Sequence, residues 1–355
     1  MSDHKEAKSF SRFGYIMVAA GAAIGLGNIW KFPYLAYGDG GGAFVLIYIV
    51  ICILLGHPIV QAEQAVGRRG RASAAASYGV IHPKWRFVGV INIVCTFLID
   101  IYYLVVSGWV LKYFVTYVVS GDFGKDKQAY FDNYISSTTQ PLIYSLIIIA
   151  IIVFFLFFGI TNIVEKASKV IMPMLAVLLL VCGIYALIVV PGAVDGLKYY
   201  FVPDFSKFGM QQFADACMQV CFSVGIGWGI FTTLGASMNK DANLKADAWW
   251  VDICDTFIAL LAGFVIIPTV VGTGSEMSSG PSLVFVAMTQ IFETLPGGRI
   301  IGIFFFASLI FAVISTFFTI LEIPRMYVQE KTHTSHQVSP VSYTHLRAHE
   351  TAANL

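Results

Sequence analysis

The sequence predicts an all-α integral membrane protein, and three observations carry that prediction. Apolar residues make up 57% of the chain and charged residues 12%, against about a quarter charged in soluble proteins. The apolar residues gather in long runs, each near the ~20 residues that a helix needs to cross a bilayer core. One run is interrupted by Gly21-Ala22-Ala23-Ile24-Gly25-Leu26-Gly27-Asn28, whose glycines weaken a helix in the middle of an apolar stretch. Backbone groups freed there are costly against hydrocarbon and are tolerated where they line a cavity or hold an ion. The run therefore reads as a binding site carved into a spanning helix.

Eight candidate spans can be drawn, at about 13–37, 43–66, 87–118, 141–159, 168–190, 212–236, 248–272 and 299–323. The sixth is interrupted as the first is, at Ser223-Val224-Gly225-Ile226-Gly227-Trp228-Gly229. Two broken helices in corresponding positions are the pattern of an inverted-repeat transporter fold, with substrate and ions bound at the breaks. Residues 1–330 then form the membrane transporter domain, with a first repeat at about 12–190 and an incomplete second repeat at about 212–326. Residues 331–355 read as a polar tail, non-native or disordered, and the authentic chain is expected to continue with further spans.

Charge bounds the partners. The net charge of +1 gives no reason to expect nucleic acid. Lys5, Lys8 and Arg12 precede the first span; Arg68, Arg69, Arg71, Lys84 and Arg86 follow the second. Lys166, Lys169, Lys240 and Lys245 lie on the same side, and the opposite loops hold fewer basic residues. That bias predicts a multi-pass protein of the inner (plasma) membrane, surrounded by lipid, with a cytoplasmic N-terminus. The stretch Pro281 to Leu295 is expected to form a short helix over the outer mouth. Met1 to Ser11 is no signal peptide, because the apolar run after it is too long. Cys52, Cys95, Cys182, Cys217, Cys221 and Cys254 lie in or beside apolar segments, which argues against a disulfide framework. Cys217 and Cys221 have helical i, i+4 spacing but no histidine near them to complete a metal site.

The segment GAAIGLGNIWKFPYLAYGDGGGAF closely resembles the first-helix signature of the neurotransmitter:sodium symporter family, especially its bacterial amino-acid transporters. GHPIVQAEQAVGR, the pair Tyr102-Tyr103, EKASKVIMP, QVCFSVGIGWG, DTFIALLAGFVIIP and ASLIFAVISTFFTILE resemble later parts of the family in the same order, over about residues 8–326. The resemblance implies sodium-coupled symport of a hydrophobic or aromatic amino acid by alternating access. Two departures stand out. The family has more spans than the eight drawn here, and its inner aromatic, usually tryptophan, is replaced by Ser9 with Phe10 beside it.

Carried onto these residues, the resemblance implies two sodium sites. The first takes the Ala23 carbonyl with the side chains of Asn28, Ser223 and Asp255. The Asp255 carboxylate there implies that chloride is not required. The second takes the carbonyls of Gly21, Ile24 and Ala312 and the hydroxyls of Ser315 and Thr316. The substrate carboxylate would meet the amides of Leu26 and Gly27 and the Tyr103 hydroxyl, beside Ala22 and Ala23. Its ammonium would meet carbonyls near Phe222 and Ser223, and its side chain Ile99, Phe222, Gly225, Trp228, Thr316 and Ile320. Monoamine carriers have an aspartate where Gly25 stands, so a substrate with its own carboxylate is expected.

The intramembrane acids are functional candidates on their own terms, since burying one costs ~2.5–3.5 kcal/mol on insertion scales. Asp255 could instead snorkel to an edge, where Asp247 and Asp252 look interfacial. Glu63 is expected to accept N–H groups from both breaks, and Asp100 has no assigned role. Lys31 stands at the outer end of the first helix, where the family often has an arginine gate. Three rival readings remain open: an amino-acid-binding membrane sensor, a channel, and an inactive fragment of a transporter. An enzyme is not expected, because no HExxH motif and no Ser/His/Asp set lies in the spans.

Overall fold

The computed structural model describes residues 10–157 and 163–332. Lys5, Lys8, Ser9, the end of the expected fourth span and the tail from residue 333 onward lie outside the described residues.

Ser11 starts the first helix. Its hydroxyl accepts the Gly14 N–H at 3.1 Å and so caps α1 (Arg12–Ala23). Every residue of α1 from Gly14 to Ala23 is buried, as befits a helix apolar all round, and α1 packs against three long helices at the centre of the bundle. The chain leaves the helix at Ile24 and Gly25, then resumes as a wide π turn (Gly27–Lys31) leading into α2 (Phe32–Gly38). The two parts meet at 60°. The break is shorter than the run of residues 21–28 suggests, since Gly21 is helical.

The second span joins α3 (Gly42–Ile51), a second π turn (Cys52–Gly56) and α4 (His57–Gly70). After α5 (Ala74–Ile81), the 34-residue α6 (Arg86–Val119) is the longest helix described. Then come α7 (Lys127–Ser136), α8 (Thr139–Phe157), α9 (Glu165–Val189) and α10 (Ala193–Phe201). The second break separates α11 (Met210–Val224) from α12 (Ile230–Ala236). The described chain ends with α13 (Leu244–Thr273), α14 (Met288–Thr294), α15 (Gly298–Ile320) and α16 (Glu322–Thr332). The expected short helix within 281–295 is present as a π turn (Leu283–Ala287) running into α14.

Among the described residues six helical stretches are long and apolar enough to cross a membrane, or seven with the bent first pair. The sixth expected span is the one that falls short, because it divides into helices of 15 and 7 residues. The cause is local. Gly225, Gly227 and Gly229 take φ of 75°, 80° and 78°, and no right-handed helix runs through such residues. Large apolar side chains cover the outside of the long helices, with Leu54, Leu98 and Ile188 exposed to 72%, 61% and 78%. The six cysteines are free.

α12 is too short to hold its place by itself, and α4 holds it by close approach. A Cβ at Gly67 would lie 1.9 Å from the Thr232 carbonyl oxygen, and one at Gly235 2.6 Å from that of Gln64. Small residues at such a contact let helix backbones meet in a medium that gives no hydrophobic drive between helices. Arg68 and Arg71 complete the joint. Arg68 donates to the Ala242 carbonyl at 2.7 Å, and Arg71 to those of Met238 and Ala236 at 2.5 and 3.3 Å. Carbonyls at the end of α12 thus find donors that the helix cannot supply. Gly67→Val and Gly235→Val should each lower the thermal midpoint of the detergent-solubilised protein, since overpacking costs about 1–3 kcal/mol. Midpoints equal to wild type would mean that this contact is looser than described.

Candidate ion and substrate site

Both breaks lie against the same helices, and two oxygen-rich clusters form there. In the first, Asn28 Nδ2 donates to Asp255 Oδ1 at 2.8 Å and to Ser223 Oγ at 2.9 Å. Ser223 Oγ donates to Asp255 Oδ2 at 2.8 Å. Asn28 Oδ1 accepts the Gly25 N–H at 3.2 Å, which ties the cluster to the first break. Asp255 is fully buried and fully engaged, so it does not snorkel. Tyr48, which the sequence reading missed, donates its hydroxyl to Ser223 Oγ at 3.3 Å. Its only signal in the sequence is a polar-tipped side chain within the apolar run of the second span.

In the second cluster, the Thr316 hydroxyl lies 3.2 Å from the Gly21 carbonyl oxygen and 2.9 Å from those of Ile24 and Ala312. The Ser315 hydroxyl reaches the Ala312 carbonyl at 2.9 Å. Thr316 Oγ1 thus meets all three carbonyls read from the sequence, and Ser315 Oγ joins them through the shared Ala312 carbonyl. A hydroxyl has one hydrogen, so Thr316 can donate to only one of its three carbonyls at a time. The surplus of oxygen lone pairs suits a hard cation. In the first cluster the Asp255 carboxylate adds a full negative charge.

Between the clusters stands Tyr103, whose hydroxyl accepts the Leu26 N–H at 3.4 Å. A Cβ on Gly25 would lie 3.3 Å from that hydroxyl and 3.5 Å from Thr316 Oγ1, so Gly25 links the tyrosine to the second cluster. Phe222 closes on Gly27, where a Cβ would come within 2.4 Å of its ring, and meets Trp228 edge to face at 5.5 Å. Lys31 Nζ lies 4.5 Å above the Phe222 ring, a cation–π contact at the rim. Ala22 and Ala23 are buried at the end of α1, Ile320 is buried at the end of α15, and Ile99 is half-buried one turn before Tyr103. Those four are tied to the site by their elements and make no side-chain hydrogen bond.

Several expectations need correction. Glu63 accepts a bond from the second break alone, the Gly227 N–H at 2.9 Å. The first break's amides have closer acceptors in Asn28 and Tyr103. Gly225 was expected to open room for a side chain. Its φ of 75° already requires glycine, and a Cβ would lie 2.7 Å from Ile230 Cδ1. Asp247 and Asp252 are buried inside the protein and each has a basic partner. Asp247 accepts from Arg12 Nε at 2.8 Å. Asp252 pairs with His57 Nδ1 at 2.9 Å, and Trp249 stacks on that imidazole at 4.1 Å. Asp100 is fully buried on α6.

Two further side chains were missed. Thr96 Oγ1 donates to the Trp228 carbonyl at 2.5 Å. Asn92, with its amide nitrogen turned toward the carbonyls, donates to Gly227 at 2.9 Å and Val88 at 3.1 Å. Both were detectable in principle, because 92, 96, 99 and 103 fall on one helical face.

The profile of the Sodium:neurotransmitter symporter family matches residues 7–121 and 131–342. The chain belongs to that family. It is 34% identical over 336 residues to an uncharacterized sodium-dependent transporter of Haemophilus influenzae, covering 90% of this chain and 73% of that one. It is 33% identical over 328 residues to the uncharacterized sodium-dependent transporter YhdH of Bacillus subtilis, covering 91% and 72%. The structure of MhsT in complex with L-phenylalanine superposes with a TM-score of 0.88 at 33% identity, covering 97% of this chain and 80% of that one. The chain is thus a sodium-coupled membrane transporter of the broken-helix kind and not an enzyme. The family's broken-helix architecture is a standard example of midplane binding.

Thr316 makes a direct test of the second cluster. A cation bound only by the folded state stabilises it as its concentration rises. Thr316→Val should blunt the rise in thermal midpoint that sodium chloride gives over potassium chloride, and Thr316→Ser should restore it. An undiminished sodium response in Thr316→Val would remove that hydroxyl from any ion site.

Proposed function

We propose that the chain carries an apolar amino acid together with sodium by alternating access, in the plasma membrane, with its N-terminus cytoplasmic. The observation that carries this reading is the meeting of two oxygen clusters at two helix breaks, with the Tyr103 hydroxyl and the Leu26 amide between them. Asn28, Ser223 and Asp255, with the Ala23 carbonyl, hold the first sodium. Gly21, Ile24, Ala312, Ser315 and Thr316 hold the second. The binding of L-phenylalanine by MhsT supports an amino acid as the solute. Basic residues gathered in the loops beside Arg12 support the orientation.

The substrate carboxylate lies toward Leu26, Gly27 and Tyr103, close to the first sodium, whose charge offsets it. Phe222 and Trp228 pack against its side chain, and the free carbonyls near Phe222 and Ser223 take its ammonium. Asp255 supplies the anionic charge for the first site, so no chloride is needed. Unit charges about 4 Å apart interact by ~4 kcal/mol at an effective dielectric near 20. Losing that carboxylate therefore weakens sodium binding by far more than losing a neutral hydrogen bond.

Uptake of labelled phenylalanine into proteoliposomes tests both statements. Accumulation is expected in an inward sodium gradient and not in potassium, and it should persist when gluconate replaces chloride. Asp255→Asn should lose uptake in gluconate. Equal uptake in sodium and potassium would refute sodium coupling, and binding without accumulation would make the protein a sensor.

Gly25→Asp examines the carboxylate site separately. Its carboxylate would start from a Cβ placed 3.3 Å from the Tyr103 hydroxyl, where the substrate carboxylate is assigned. Binding of phenylalanine, leucine and alanine should be abolished alike, by repulsion between like charges. Full affinity in this variant would move the substrate carboxylate elsewhere.

A further inference from the structure

The second break leaves carbonyls that no helix satisfies, and α6 satisfies two in succession. Asn92 takes the Gly227 carbonyl at 2.9 Å and Thr96 takes the Trp228 carbonyl at 2.5 Å. From the other side Glu63 takes the Gly227 N–H at 2.9 Å. The Gly227–Trp228 peptide is therefore held at each of its ends, and Trp228 has little freedom to rotate about its own backbone. Its indole meets Phe222 edge to face at 5.5 Å, and Phe222 lies against Gly27 of the first break. Any turn of the Trp228 backbone would swing the indole and release Phe222. On the same face of α6, two turns further on, Tyr103 holds the Leu26 N–H. One face of one helix thus fixes the distance between the two breaks at the place where the substrate side chain is assigned.

We propose that Asn92 and Thr96 are positioning residues for substrate selection: by holding the Gly227 and Trp228 carbonyls they fix the indole and set the side-chain size that the pocket accepts. The inference rests on the reading of Trp228 as a wall of the substrate pocket. Neither side chain touches the substrate. Thr96 is fully buried and also donates to its own helix at the Asn92 carbonyl, at 2.9 Å, so its hydrogen divides between two acceptors. A valine has the same shape and no hydrogen to give, which makes it the informative replacement.

The test is competition of alanine, leucine, phenylalanine and tryptophan against labelled phenylalanine, in sodium, with the full chain. Thr96→Val should change the phenylalanine-to-alanine affinity ratio about threefold to tenfold, the range of one hydrogen bond. Its sodium half-saturation should stay at the wild-type value, and Thr96→Ser should restore the wild-type ratio. A merely structural role for Thr96 would weaken all four amino acids alike and leave the ratio unchanged, which would overturn the inference. Trp228→Leu separates this failure from that of the underlying reading. If Trp228→Leu shifts the ratio and Thr96→Val does not, the positioning role falls and the pocket stands. If neither shifts it, the indole is no part of the pocket and both fall. Should Thr96→Val not fold, Asn92→Ala is read in the same competition, with the same shift expected and an unchanged ratio equally fatal.

Discussion

A helix break inside a membrane is admissible only if each freed N–H and C=O is kept from lipid and given a polar partner, and the structure is organised around that demand. Two breaks release backbone groups near one another, and the polar side chains nearest them turn inward to meet them. Asn28 and Tyr103 accept from the first break. Glu63 accepts from the second, where Asn92 and Thr96 donate. Thr316 lies among the carbonyls at the end of α1. The long, apolar and otherwise unremarkable helices then serve to keep these few groups in register and away from lipid.

Satisfying the breaks and binding an ion draw on the same atoms. Around Thr316 there are more acceptors than hydrogens, so hydrogen bonding alone leaves part of the demand unmet. The sodium proposed there would meet it with charge. In the first cluster the balance differs, because Asn28 and Ser223 already give their hydrogens to Asp255. An ion arriving there would have to take the place of those bonds, with the carboxylate charge favouring the exchange. As ion sites the two proposed clusters are therefore unlike in kind: one offers a deficit of donors, the other holds donors already in place.

Much of this was legible in the sequence, and the limits have physical causes. Glycines within apolar runs mark both breaks: at the second, Gly225, Gly227 and Gly229 take φ of 75°, 80° and 78°, which no other residue takes so readily, and at the first, Gly27 gives room to the Phe222 ring. The oxygens assigned to the two clusters followed from resemblance, and the structure brings the Asn28, Ser223 and Asp255 side chains together and sets Thr316 against the carbonyls of Gly21, Ile24 and Ala312. The glycines placed the interruption of the sixth span, but hydropathy, which averages over the glycine turn, did not show how short its second half is. Tyr48, Asn92 and Thr96 escaped because one polar residue in an apolar run resembles ordinary interhelical bonding until its partner is known. The pairing of Asp247 and Asp252 escaped for a different reason. Their partners, Arg12 and His57, are 235 and 195 residues away in sequence, so nothing local distinguishes a buried pair from an interfacial acid.

The second span and the broken sixth run side by side, and each carries an irregularity. α11 packs along α3 and α12 along α4, so the two halves of the sixth span are mounted on the two halves of the second. Between α3 and α4 lies the π turn Cys52–Gly56. A change in angle between α11 and α12 that preserves both mountings requires the same change between α3 and α4, and the wide turn is the one place where that span can yield. The two irregularities are thereby coupled in geometry, like paired hinges on a common pin. Stiffening either would lock the other, although no side chain within Cys52–Gly56 lies in either oxygen cluster.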